Sequence, residues 1–317
     1  MSILGLILKR ILLGALTLLA VTVLISAALN LLPGDFAQSI LGQSATPEAV
    51  AAIRAKLGLD QPFYVRYISW LIGVLHGDFG VSLTDQQPVM DLLAGRLANT
   101  LFLAVLAAAM SVPLAILLGL LAALYRKSFF DRVVNIGALA SISSPEFVLG
   151  YILLLFMAVN HQWFSPISSV LPGMPLGERL ALTFLPALTL TLVVTAHMMR
   201  MTRAAIINVL SLPYIEMARL KGMSPWAVVF RHATPNALAP IVNVVSINLA
   251  YLITGVVVVE VVFAYPGVGQ LFVDSVSLRN VPIVQACCVV FAAAYIFLNL
   301  VADVLTIASN PRRRHPK

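Results

Sequence analysis

The chain has 317 residues, of which 60% are hydrophobic and only 10% are Asp, Glu, Lys or Arg. Soluble domains run at about 45–50% apolar and about 25% charged, so a soluble enzyme, a disordered chain and (with two Cys) a disulfide scaffold are excluded. The net charge of +7 fits either nucleic acid or basic cytoplasmic loops, and the positions of the charges decide between them.

A membrane-spanning helix needs about 20 mostly apolar residues. In chain order, six stretches qualify: Ile11–Leu32, Thr100–Leu124, Val133–Val159, Ala181–Met199, Ala237–Val259 and Val281–Ala302. Among their acidic and basic residues only Glu146 falls inside a span, in the third. Six spans put both termini on one side, and Lys and Arg say which side. With the termini cytoplasmic, the inner segments hold Lys9, Arg10, Arg126, Lys127, Arg132, Arg200, Arg203, Arg219, Lys221, Arg231, Arg312, Arg313, Arg314 and Lys317. Those are fourteen of the 20 basic residues, while most acids fall outside. The reading is a single all-α membrane domain over 1–317 with no nucleic-acid role. Lys9-Arg10 before an apolar run is also signal-peptide-like, but the run is too long for a typical cleavable core.

Two loops are large. The extracytoplasmic loop 33–99 is too long for a simple connection. It holds a short helix over Pro47–Leu57, with Thr46 as N-cap, Pro47 at the first position and Gly58 past the end. A second helix over Pro62–Leu75 carries Phe63, Tyr64, Tyr67 and Trp70, aromatic residues suited to a membrane interface. The cytoplasmic loop 200–236 divides by the same rules into helix, sharp turn and helix. Pro213 begins the first helix and Gly222 ends it in the left-handed region; Ser224 caps the second, with Pro225 at its first position. Tyr214, Met217, Ala218 and Lys221 share a face by i, i+3, i+4, i+7 spacing. An apolar stripe with basic flanks fits a partner-docking surface, with Ala218 allowing close approach, or an amphipathic connector on lipid headgroups.

The pattern Glu216-x-Ala218-x3-Gly222, with Arg219 inside it, resembles the cytoplasmic "EAA" coupling motif of ABC importer permeases. The match continues through Leu32-Pro-Gly-Asp35, Leu57-Gly-Leu-Asp60, Gly77-Asp-Phe-Gly, Arg96-Leu-Ala-Asn-Thr, Val259-Glu260-Val-Val-Phe263-Ala-Tyr-Pro266-Gly267 and Asn310-Pro-Arg312. The chain thus resembles the dipeptide/oligopeptide/nickel permease family over nearly its whole length. The long first outer loop is similar to that of the "B"-type subunit. Departures are Pro213 where the family often has an acid, Asn310 for Asp, and Thr306 for a Tyr.

The resemblance implies the type I ABC importer fold, six transmembrane helices with a cytoplasmic coupling helix. It implies a bacterial inner-membrane location and four kinds of partner: a second, "C"-type permease, two ABC ATPases, an extracytoplasmic solute-binding protein and membrane lipid. The chain has no Gly-x4-Gly-Lys-Ser/Thr loop, so it is not itself an ATPase; ATP and Mg belong to the partners and no cofactor or metal is expected on this chain. Peptide is the expected cargo, with nickel, glutathione and oligosaccharide as alternatives. An ion-gradient-driven transporter or channel is the competing class, with Glu146 as its proton site.

Several residues carry expected roles. Tyr214, Glu216, Met217, Ala218, Arg219, Lys221 and Gly222 form the ATPase-coupling set. An intramembrane carboxylate costs roughly 2.5–3.5 kcal/mol on insertion scales and so faces the bundle or a watery path. Glu146 and Ser143, expected on one helix face, are either pathway groups or structural anchors, and Pro145 is expected to kink that helix. Asn243, Ser246 and Tyr251 of span five are pathway candidates, although helix–helix hydrogen bonding is their commoner use. Glu260, Phe263, Pro266 and Gly267 are read as a turn or gate. Asp303 is expected to pair with a basic residue, and Cys287 and Cys288 to be small buried hydrophobes.

Overall fold

A hydrocarbon layer offers the backbone no partners, so a long apolar run folds as a helix that satisfies itself. The computed structural model describes residues 3–31, 45–56, 58 and 60–309. Among them every regular element is helical, apart from one isolated bridge between Val81 and Pro88. Leu32–Asp35, Leu57, Leu59 and the Asn310–Lys317 tail lie outside the described residues.

Helix α1 (Ile3–Leu31) is the first span; α2 (Pro47–Lys56) and α3 (Phe63–Leu75) stand in the first loop. Thr46 Oγ1 caps α2 by accepting from Ala49 N–H, and Gly58 has φ +62°, both as its sequence position requires. Helix α4 (Val89–Leu124) is the second span. Helices α5 (Phe129–Ser143) and α6 (Glu146–Leu153) follow, α6 widening into a π-helical stretch over Leu154–Asn160. Then come α7 (Leu176–Leu210), α8 (Pro213–Leu220) and α9 (Pro225–Ala227), the last passing through a second π-helical stretch, Val228–Ala233, into α10 (Thr234–Val262). Helices α11 (Val268–Ser277) and α12 (Val281–Ser309) complete the chain.

Helices α4 and α7 run to 36 and 35 residues, well beyond their apolar cores. At 1.5 Å per residue each is about 50 Å long, against about 30 Å of hydrocarbon, so each is long enough to reach beyond the hydrocarbon into the headgroup regions. Among the described residues five helical runs are long and apolar enough to cross a membrane, and the pair α5 and α6, counted as one broken span, makes a sixth. That pair corrects the single kinked helix expected over Val133–Val159: its halves are bent by 109°. The break follows from Pro145, which disfavours the helical region for the residue before it and has no N–H to donate. Ser144 accordingly lies extended at φ −94°, ψ 132°, and α6 begins anew at Glu146.

The described residues fall into two compact units, one drawn from the ranges 1–10, 101–265 and 295–317, the other from 11–100 and 266–294. In the first, α7 is the central element. Its Leu185, Leu190, Val194 and Met198 are buried with Leu103 and Ala107 of α4 and Leu252, Val256 and Val259 of α10. Thr189 and Thr191 satisfy their hydroxyls by donating to the Leu185 and Ala187 carbonyls. Gly119 lets α4 approach α7 so closely that an added Cβ would lie 2.8 Å from Thr202 Cβ and 2.9 Å from the Met199 carbonyl oxygen.

The same unit contains a buried ion pair. Arg203 Nε donates to Asp131 Oδ1 at 2.7 Å and a second guanidinium N–H donates to Oδ2 at 2.8 Å. Asn135 Nδ2 and the Lys127 N–H also donate to this carboxylate, so its oxygens hold four donors. The pair ties the start of α5 to α7.

In the second unit Val89, Leu93, Val268, Leu271, Ile283 and Cys287 form the core; Cys287 is buried as expected, whereas Cys288 is only half-buried. Asn280 Nδ2 donates to Ser82 Oγ at 2.9 Å and Thr84 Oγ1 at 3.1 Å, fixing the segment before α4. Tyr67 meets Thr22, Arg66 donates to Asn30 Oδ1 and Gln285 donates to Ser26 Oγ. The aromatic helix α3 is thereby held to α1.

Candidate functional site

Helix α8 starts with Pro213 at its first position and is only eight residues long. Gly222, at φ +78°, ends it with a paired closure: its N–H donates to the Arg219 carbonyl and Met223 N–H donates to that of Ala218. Ser224 Oγ then accepts from Ala227 N–H and starts α9. The helix–turn–helix geometry is the one the Pro, Gly and Ser positions require.

The faces of α8 differ from the expected assignment at one residue. Ile215 and Ala218 are buried in a small cluster with Val228. Tyr214, Met217 and Leu220 are exposed, at 41%, 56% and 76%, and Glu216, Arg219 and Lys221 are exposed too. Ala218 therefore lets α8 approach its own chain rather than a partner. Its small side chain sits one position round the helix from Met217, on the inward side. Leu220 takes its place in the outward stripe at i, i+3, i+6 from Tyr214; an exposed Leu beside Lys221 was the available sequence signal.

A second constellation surrounds the break in span three. Glu146 opens α6, where the unpaired N–H groups of a helix N-terminus favour a carboxylate. Its Oε1 accepts from Tyr251 Oη at 2.5 Å. Gly255, one turn along α10, gives the carboxylate room: a Cβ there would stand 3.1 Å and 3.2 Å from its two oxygens. Glu146, Phe147, Tyr251, Gly255 and Val258 line an open groove of about 310 Å³. The structure thus brings Glu146 and Tyr251 together across 105 residues. It separates Ser143 from Glu146, because the two lie on different helices across the 109° bend. Asn243 shares the exposed face of α10 with Ile247, Tyr251 and Val258, whereas Ser246 is 6% exposed and lies off that face. Gly255 and Phe147 were missed in the sequence, where an isolated Gly four residues after Tyr251 was the clue.

The C-terminal end of α10 is a polar cluster under a tight turn. Glu260 and Phe263 are fully buried. Ala264 takes φ +49°, and Tyr265 N–H donates to the Glu260 carbonyl at 2.8 Å. The Tyr265 hydroxyl bonds Thr183 and Arg179, and the Arg179 guanidinium lies 4.1 Å over the Phe102 ring. In the other unit Pro266 accepts from Asn99 Nδ2, and Gly267 precedes α11, whose Val268 N–H donates to Thr100 Oγ1. These contacts suit bracing of a turn better than ligand capture. Asp303 pairs with Arg10 at 3.1 Å, as expected of it.

Comparison with known proteins agrees with this architecture. The chain matches the family described as binding-protein-dependent transport system inner membrane component over residues 115–315, and that family's N-terminal component over residues 3–104. It is 38% identical to the glutathione transport system permease protein GsiC of Salmonella choleraesuis over 309 residues, 98% of each chain. It is 37% identical to the probable peptide ABC transporter permease protein y4tP of Sinorhizobium fredii, covering 98% of this chain and 99% of that one. An inward-facing structure of the MetNI methionine ABC transporter shares the fold, at a TM-score of 0.54 and 20% identity, over 70% of this chain and 97% of that chain. The helical membrane architecture, the helix–turn–helix and these full-length matches place the chain in the binding-protein-dependent inner membrane component family, as an ABC importer permease of the dipeptide/oligopeptide group.

Proposed function

We propose that this permease forms half of a translocation pathway for di- and oligopeptides, glutathione among them, in the bacterial inner membrane with both termini cytoplasmic. A second, homologous permease supplies the other half, an extracytoplasmic binding protein delivers cargo, and two ATPases docked on α8 consume ATP and Mg. This chain binds neither. The observation that carries the reading is α8 itself: a short helix with Ile215 and Ala218 anchored inward and Tyr214, Met217 and Leu220 presented outward. Closure of the ATPases moves that anchored helix, and the displacement passes through Val228 and α10 to re-orient the spans.

The cargo assignment rests on Glu146. A carboxylate held by Tyr251 beside an open groove suits an ammonium group, which every free peptide N-terminus carries. Relatives named for glutathione and for peptide transport support the same class. Uptake of labelled dipeptides and glutathione, with binding measured on the partner binding protein, tests it. Glu146→Gln should reduce uptake at unchanged membrane levels; unchanged transport and substrate preference would make Glu146 a structural anchor. ATP-independent uptake by the chain alone would overturn the ABC mechanism and favour a gradient-driven carrier.

A further inference from the structure

A cavity of about 490 Å³ lies in the first unit beside the coupling turn. Its walls come from three places: Leu124 and Arg126 at the end of α4, Ile207 and Leu210 at the end of α7, and Arg219 with Val228 around the turn. The lining combines apolar side chains with two arginines. Neither Arg126 nor Arg219 has a carboxylate partner within 4.0 Å among the described residues, and both are exposed. Guanidinium pairs recognise phosphate oxygens by planar, charge-assisted hydrogen bonds.

Aromatic residues flank the same cavity. Trp226 stacks on Phe230 at 5.4 Å and meets the Tyr125 ring edge-on at 6.3 Å. All three are 45–47% exposed. Half-exposed Trp and Tyr with a polar edge mark the depth of lipid headgroups. Two arginines in an apolar lining, next to aromatic residues of the interfacial type, match one ligand: a phospholipid with a net negative headgroup.

We propose that this cavity binds an anionic phospholipid, its phosphate on Arg126 and Arg219 and its acyl chain along Ile207, Leu210 and Val228. The inference rests on the proposed orientation, which puts this face toward the cytoplasm. Bound there, the lipid joins the coupling turn to the ends of α4 and α7.

The test uses the transporter purified with its partner subunits and reconstituted in nanodiscs of mixed phosphatidylglycerol and phosphatidylcholine. Lipid retained after mild detergent extraction is counted by native mass spectrometry. The expected result is selective retention of phosphatidylglycerol, lowered about tenfold or more by Arg126→Gln and partly kept by Arg126→Lys. A photo-crosslinking residue at position 126 should label phospholipid. Equal retention of the two lipids, or unchanged retention in Arg126→Gln, overturns the proposal. So does full displacement by inorganic phosphate, which would make it a free-anion site, or crosslinking to an ATPase subunit, which would make it a protein contact. None of these readouts requires transport, so they fail independently of the assigned cargo and mechanism.

Discussion

The turn that ends α8 offers a test in which geometry separates two explanations. Gly222 sits at φ +78°, and a Cβ built on it meets nothing within 4 Å. Substitution therefore costs backbone strain and no internal collision. For Ala that strain is roughly 1–2 kcal/mol, which lowers the population of the turn by a factor of about 5–30. Asn tolerates the left-handed region better than other non-glycine residues, and a β-branched side chain tolerates it worst. Helix α8 has eight residues and is too short to hold itself without its tertiary anchors, so a lost turn redirects it. The expected uptake order is Gly222, then Gly222→Asn, Gly222→Ala and Gly222→Val, each normalised to permease in the membrane. Initial uptake rates with immunoblotted membrane levels provide the measurement. Asn falling below Ala would refute the strain argument, since it would mean that side-chain size against a docked partner governs the site. Equal rates across the series would refute the coupling role of the turn itself.

Asp131→Ala leaves the Arg203 guanidinium without its bidentate partner. Breaking a buried pair costs about 3–5 kcal/mol, and the 23% exposure of Arg203 sets the lower end. A double-mutant cycle with Arg203→Ala, read from unfolding midpoints of the purified transporter, should show coupling, and additive effects would count against the pair. Gly119→Ala should destabilise by about 1–3 kcal/mol, because its Cβ would collide with α7. Gly95→Ala in the same helix meets nothing and should be neutral or stabilising, so the two variants separate contact from propensity in one thermal assay. Ala264→Gly relieves a left-handed residue at the turn after α10 and should stabilise by about 0.5–1 kcal/mol; a lower midpoint would show that the turn is not strained. Gly255→Ala should disturb the Glu146–Tyr251 contact and reduce uptake without loss of membrane insertion, while full activity would detach Gly255 from the site.

The elements were legible because their causes are local. Uncharged apolar runs of about 20 residues define spans wherever they occur, and Pro213, Gly222, Ser224 and Pro225 specify caps and turns through their own backbone geometry. Even the break in span three had its cause in the sequence, since Ser144-Pro145 disfavours a continuous helix; only the size of the bend, 109°, was hidden. Faces were legible less well. Periodicity placed Ala218 beside Met217 in one stripe, but which side turned inward depended on Val228, met only after the chain reverses at Gly222. Ser246 was ambiguous for the same reason, as a polar residue in a span looks alike whether it lines a path or is packed inside.

By itself, then, the sequence determined the helical membrane class, the coupling-turn geometry and the family, all carried by short-range spacing. Tertiary structure alone decided the long-range polar pairs: Glu146 with Tyr251, Asp131 with Arg203, and Asn280 with Ser82. Spacing along the chain carries no trace of such pairs. They exist because a polar group out of water must find a partner, and only the packed helices determine which one comes within reach.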